Sequence, residues 1–252
     1  MTPPPTAGPD SHHPPPSQVP PRKLAERHAM AAVLPFAPAG AGPQVLLATP
    51  GDSGLRHRLH AEHPDLIQTL FSPQAVRWGI HPDDPPPRRV DVVIDPRHLP
   101  WPDASLSSII GVDVLARLRC PARLLTEVDR VLRPGGHLAL VEPWLGPWGQ
   151  ILHRLIRRQR VHPGLDPWFS AVPHQGFRPG TAITCLLKRA DELPRHAPGL
   201  ILTLCEPFGG PSDLWRQATP RWLEREDRWP RWLRRILGSR VLLVLERQAG
   251  SV

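Results

Sequence analysis

At 252 residues the chain is long enough to enclose a sizeable core within one decorated domain. Its 31 basic residues outnumber 23 acidic ones, a formal charge of +8 held almost wholly by arginine, which predicts salt-sensitive attraction to anions such as nucleic acid, acidic lipid headgroups or acidic glycans. No apolar run approaches transmembrane length and the amino terminus lacks the apolar stretch of a signal peptide; Cys120, Cys185 and Cys205 have no metal-ligand spacing, so free thiols in a reducing cytoplasm are expected.

Residues 1–22, rich in Pro, Ser and His, have almost nothing to bury and are expected to form a disordered, partly polyproline-II tail ahead of a single domain over 23–248. A short helical pattern (Leu24, His28, Ala31, Ala32) follows over 23–34. Gln44–Ala48 and Leu66–Leu70 read as the first two strands. The β-branched run Val90–Ile94 ends on Asp95, and a second apolar run, Ile109–Val112, ends on Asp113. A short helix over Val114–Leu118 follows, for which Asp113 is a candidate N-cap.

The spacing predicts an amphipathic helix over Pro121–Leu132, with Leu124, Leu125, Val128 and Leu132 on one face and Arg123, Glu127 and Arg130 on another. Gly135 and Gly136 end it in a turn that admits positive φ, and His137–Val141 forms a strand ending on Glu142. A helix from Trp148 to about Gln159 has a basic end expected to face solvent. The irregular stretch after it carries His162, Trp168, Phe169, His174 and Phe177; a helix over Thr184–Arg195 and a strand over Gly199–Glu206 come next. Trp215, Trp222, Trp229 and Trp232 then interleave with arginines over 211–238, broken into short helices by Pro220 and Pro230, before the last strand, Val241–Leu245. Such a segment either packs its tryptophans on the sheet or lies on an anionic membrane surface or acidic partner.

Strand, helix, tight turn, strand is the grammar of a parallel α/β sheet with functional groups at the carboxyl ends of its strands. The stretch LPWPDASLSSIIGVDVLARL, followed by CPARLLTEVDRVLRPGGHLALVEPW, resembles the central half of class I S-adenosylmethionine-dependent methyltransferases of the type 11 group. The resemblance implies a Rossmann-like sheet of seven strands, mostly parallel with the last antiparallel, flanked by helices. It implies S-adenosylmethionine as methyl donor, lying across the strand ends, and an acceptor-binding lid in 161–198. Asp95, with Pro96 after it, falls where the family accepts a hydrogen bond from the adenine amino group. Val112 and Asp113 fall beside the donor's reactive end or the acceptor, and the backbone of Thr49, Pro50, Gly51 and Ser53 would pass along ribose and methionine. No residue stands out as a general base and no metal site is expected.

The same alignment exposes departures. Where the family reads Val-Leu-Glu-Ile-Gly-x-Gly-x-Gly, this chain has Val45-Leu46-Leu47-Ala48-Thr49-Pro50-Gly51-Asp52-Ser53-Gly54, so the acid is Leu47 and two glycines are Thr49 and Ser53. The ribose-gripping acid of the second strand is about Leu70, with Gln68 beside it. The sequence therefore supports a methyltransferase acting on a small or amphipathic acceptor and, as the alternative, a catalytically silent binding or scaffold subunit. A third reading, a basic nucleic-acid-binding module, rests on charge alone, and no specific nucleic acid partner is expected.

Overall fold

The computed structural model describes residues 29, 31–38, 40–48, 66–71, 92–156, 166–169, 177–210 and 229–250. Among these, seven strands form one sheet: β1 (Gln44–Ala48), β2 (Leu66–Phe71), β3 (Val92–Ile94), β4 (Leu106–Val112), β5 (Leu132–Pro143), β6 (Leu200–Phe208) and β7 (Arg240–Arg247). Their order across the sheet is β3-β2-β1-β4-β5-β7-β6. The first five run parallel, and β7 is antiparallel to both β5 and β6. This is the mixed, mostly parallel sheet the sequence predicts. The tail over 1–22, the first glycine-rich turn and the Trp/Arg stretch 211–228 lie outside the described residues.

β4 sits at the centre and is buried along its whole length, as expected of a parallel strand covered on both faces. Alternation along the strands sorts the core into two layers. Val45, Leu47, Ile109, Leu138 and Leu140 face helix α1 (Pro121–Val131), whose Leu124, Leu125, Val128 and Val131 are fully buried. Leu46, Leu66, Ile110, Ala139, Val141 and Val244 face the other way, against Ala29 and Val33 near the amino terminus. Each such side chain contributes roughly 1.5–3 kcal/mol relative to exposure.

Several boundaries differ from expectation for physical reasons. α1 begins with Pro121 at its first position, where no N–H is needed, and stops at Val131. Leu132 is already in β5, paired with Leu106, and His137 pairs with Ser108. Residues 133–136 thus loop out opposite the single residue Ser107. Gly135 takes φ 76° in that loop. A Cβ on Gly136 would stand 2.8 Å from the Arg133 carbonyl and 3.0 Å from that of Ser107. The glycine pair therefore shapes a bulge inside the strand rather than a turn before it.

The helix expected over 148–159 is α2 (Pro147–Ile151) followed by a π-helical stretch, Leu152–Ile156. That expected over Thr184–Arg195 is broken into α3 (Thr181–Ile183), a π-helical stretch (Thr184–Lys188), a 3₁₀ turn (Ala190–Glu192) and α4 (Leu193–His196). Arg189 leaves helical geometry at φ −122°, ψ 39°, and Pro194 has no N–H with which to continue a helix from before it. A last helix, α5 (Arg231–Leu237), starts after Pro230. No helix among the described residues is long and apolar enough to cross a membrane.

The polar face of α1 holds a loop in place. Arg130 donates to the Leu99 and Trp101 carbonyls at 3.0 and 2.9 Å and to Asp103 at 2.7 Å. It also bonds Glu127 at 2.7 Å, and the Glu127 carboxylate accepts the Leu99 amide at 2.8 Å. That guanidinium, with the amide, holds the Glu127 carboxyl below the usual range against its burial. The loop so fixed is the one leaving β3 just after Asp95. Arg130→Ala leaves Glu127 without its cation and two carbonyls without donors; we expect a loss of roughly 1–3 kcal/mol, read from urea unfolding with an unchanged m-value.

Candidate active site

Chain order reverses across the sheet between β1 and β4: β2 and β3 are added on one side of β1, β4 and β5 on the other. A crevice at the carboxyl ends of the strands opens at such a switch point. Register carries the strands to a common edge, since Ala48 pairs with Leu70 and Leu70 with Val93, while Leu47 pairs with Gly111. Asp95 and Pro96 leave β3 on that edge, and Val112 and Asp113 end β4 on it. The two acids are separated by three strand spacings, roughly 14 Å, with the end of β1 between them. Thr49, Pro50, Gly51 and Ser53 lie outside the described residues.

Asp95 is already engaged. Its carboxylate takes both Nε (3.0 Å) and Nη2 (2.6 Å) of Arg97 and the Arg97 amide at 2.9 Å. These bonds hold the carboxyl below its usual range, against a smaller opposing effect of burial. Pro96 is buried and the Asp95 carbonyl accepts the His98 amide, so the backbone turns tightly here. The Arg97 side chain, 55% exposed, covers this carboxylate from the solvent side. Its place two residues after Asp95 was readable; its bidentate reach was not.

At the other end of the crevice Asp113 adopts φ 54°, a left-handed conformation uncommon for a residue with a side chain. Its carboxylate pairs with Arg240, the first residue of β7, at 3.0 Å, both side chains being mostly buried. The turn after it is a 3₁₀ turn, Leu115–Arg117, rather than an α-helix, and Asp113 does not cap it. Glu142 does. From the end of β5 its carboxylate accepts the amides of Leu115 at 2.6 Å and Ala116 at 3.1 Å while having no exposed surface. Sequence reading placed Glu142 at a strand end but gave it no role; an acid ending the run Leu138–Val141 was the available signal. Arg240 carried none, because it meets Asp113 across 127 positions.

Leu47, at the position of the family's first acid, is fully buried in the core layer beneath α1. Gln68 is buried at 3% exposure on the opposite face. Of the aromatics in the stretch expected to form a lid, Trp168 is core, its indole donating to Glu192 at 2.5 Å, whereas Phe169 is 46% exposed. His162 and His174 lie outside the described residues. Among those residues no group of three or more His, Cys, Asp or Glu is arranged to hold a metal ion.

This sheet order, reversed strand and strand-end crevice are the architecture of a class I methyltransferase domain. Residues 66–140 match the methyltransferase domain family, as the motif resemblance anticipated. Among solved structures, a chain of the Haloferax volcanii complex between the Trm112 methyltransferase activator and its methyltransferase partner superposes with TM-score 0.51 at 17% identity, over 92% of this chain and 94% of that one. A SAM-dependent methyltransferase from Archaeoglobus fulgidus gives 0.53 at 12% identity, over 90% and 94%. The cyclase SpnF gives 0.51 at 18%, over 93% and 84%. At these identities the likeness is one of fold. None of the curated proteins matches the chain in sequence.

Burial, with the neighbouring Asp113 charge, pushes the Glu142 carboxyl from an ordinary 4.5 up to about 8, against the pull of the two amides and Arg240. The folded state therefore holds this proton more tightly than the unfolded chain. Its contribution to stability is full below about pH 4.5 and declines as pH rises toward 8. Melting temperatures measured across this window should fall with pH in the natural protein and fall less in Glu142→Gln.

Proposed function

We propose that the protein is an S-adenosylmethionine-dependent methyltransferase acting on a small or amphipathic acceptor. The observation that carries this reading is the placement of Asp95 and Asp113 on one edge of the sheet, at the carboxyl ends of β3 and β4 with the end of β1 between them. The donor would supply an activated methyl group for in-line displacement by an acceptor lone pair, a reaction that needs alignment and water exclusion more than a strong base. Asp95 would accept from the adenine amine. Val112 and the left-handed Asp113 would form the wall at the donor's reactive end. Glu142 and Arg240 would act as positioning residues, fixing that wall through backbone amides and an ion pair.

A second reading, a silent binding or scaffold subunit, is favoured by two features: Leu47 lies in the core, and Arg97 satisfies the Asp95 carboxylate. One of the structural neighbours was itself solved in a complex with a methyltransferase activator. Titration calorimetry with S-adenosylmethionine and S-adenosylhomocysteine separates the readings. We expect binding that Asp95→Ala weakens roughly tenfold. Arg97→Ala frees the carboxylate and should tighten binding roughly two- to fivefold. No heat at millimolar donor with either the natural protein or Arg97→Ala sinks the methyltransferase reading.

A further inference from the structure

Arg178 is a largely buried cation with no salt bridge among the described residues, the Asp166 carboxylate acting on it only from beyond ion-pair distance. The residue is 9% exposed, and its Nη1 is buried with no hydrogen-bond partner. Its Nη2 reaches only the Asp166 carbonyl, at 3.4 Å. Burial holds its guanidinium below the usual range. A charged group so enclosed is costly unless it is paired. The adjoining sequence offers little to pair it with. Between Glu142 and Asp191 the sequence has seven arginines and lysines and one acid, Asp166, whose carboxylate caps the Trp168 amide at 2.9 Å.

The backbone around this guanidinium is fixed. The Arg178 amide donates to the Ala116 carbonyl at 2.6 Å, and its own carbonyl accepts the Thr181 hydroxyl at 2.9 Å. Gly180 turns the chain at φ 87° to enter α3. Ala116 belongs to the turn capped by Glu142, three residues beyond Asp113, so Arg178 is tied to the turn that follows β4. Beside it Phe177 carries the Arg117 guanidinium 5.2 Å over its ring and has the buried His153 ring 6.1 Å away. That surrounding is basic and aromatic, and Arg178 Nη1 is among its buried donors left without an acceptor.

We propose that Arg178 binds an oxyanion, a carboxylate or phosphate group, on the methyl acceptor. The planar guanidinium suits such a group better than a neutral or cationic one. The assignment to an acceptor rests on the methyltransferase reading; the anion site itself does not, and it is tested without donor.

The test is thermal unfolding of the full chain at constant ionic strength, titrated with inorganic phosphate, with acetate, and with neutral acetamide. The natural protein should gain stability saturably with phosphate or acetate and not with acetamide. Arg178→Gln should raise the apparent dissociation constant roughly tenfold or more, while Arg154→Gln, at an exposed position, leaves it unchanged. If Arg178→Gln does not fold, Arg178→Lys decides, with weaker binding expected from loss of the forked donor. A preference for phosphate or for acetate upholds the site and says which group it takes. Equal anion responses in the natural protein and the Arg178 variant, or a response to acetamide, overturn it. An anion response without calorimetric donor binding leaves the site standing and removes the methyltransferase reading.

Discussion

A carboxyl group with no access to water holds the working edge of this molecule together. Glu142, near the end of β5, accepts two amides from the turn that follows β4, so neighbouring strands are joined by a side chain beyond the last ladder bonds. The Asp113–Arg240 pair adds β7 to the same knot. Removing Glu142 leaves two buried amides without their acceptor, a loss of roughly 1–3 kcal/mol for each. The unusual backbone of Asp113 persists because three elements fix it together.

The opposite end of the crevice is held by other means. There α1 reaches across with Glu127 and Arg130 to tie down the loop after β3, using mostly backbone acceptors. Asp95 therefore sits on a loop whose shape is set from the helical layer, while Asp113 sits on a turn set from the sheet. The two ends of this edge have independent supports, so their effects on stability are separable by mutation.

Sequence pattern located most of the architecture because the signals are local. β-branched runs, the i, i+3, i+4 spacing of Leu124, Leu125 and Val128, and the glycines at 135 and 136 each act within a few residues. The motif resemblance turned those pieces into a mostly parallel sheet with a reversed last strand. What escaped were interactions between distant positions: Arg240 with Asp113, Glu142 with the 115–117 turn, Arg178 with Ala116. Periodicity carries no information about such pairs. Helix boundaries slipped for a different reason. The stretch Thr184–Arg195 reads as one helix, but the chain leaves helical geometry at Arg189 and Pro194 limits its continuation.

Leu47 shows how such a domain drifts. A branched aliphatic side chain there packs with Val45, Ile109 and Leu140 beneath α1, so the site that would hold an acid in relatives has become part of the foundation. A carboxylate placed there would stand in a dry layer shaped around hydrocarbon, where an unpaired charge is costly. Any polar group that this end of the sheet offers a ligand therefore has to come from the loops and not from the side chain at position 47.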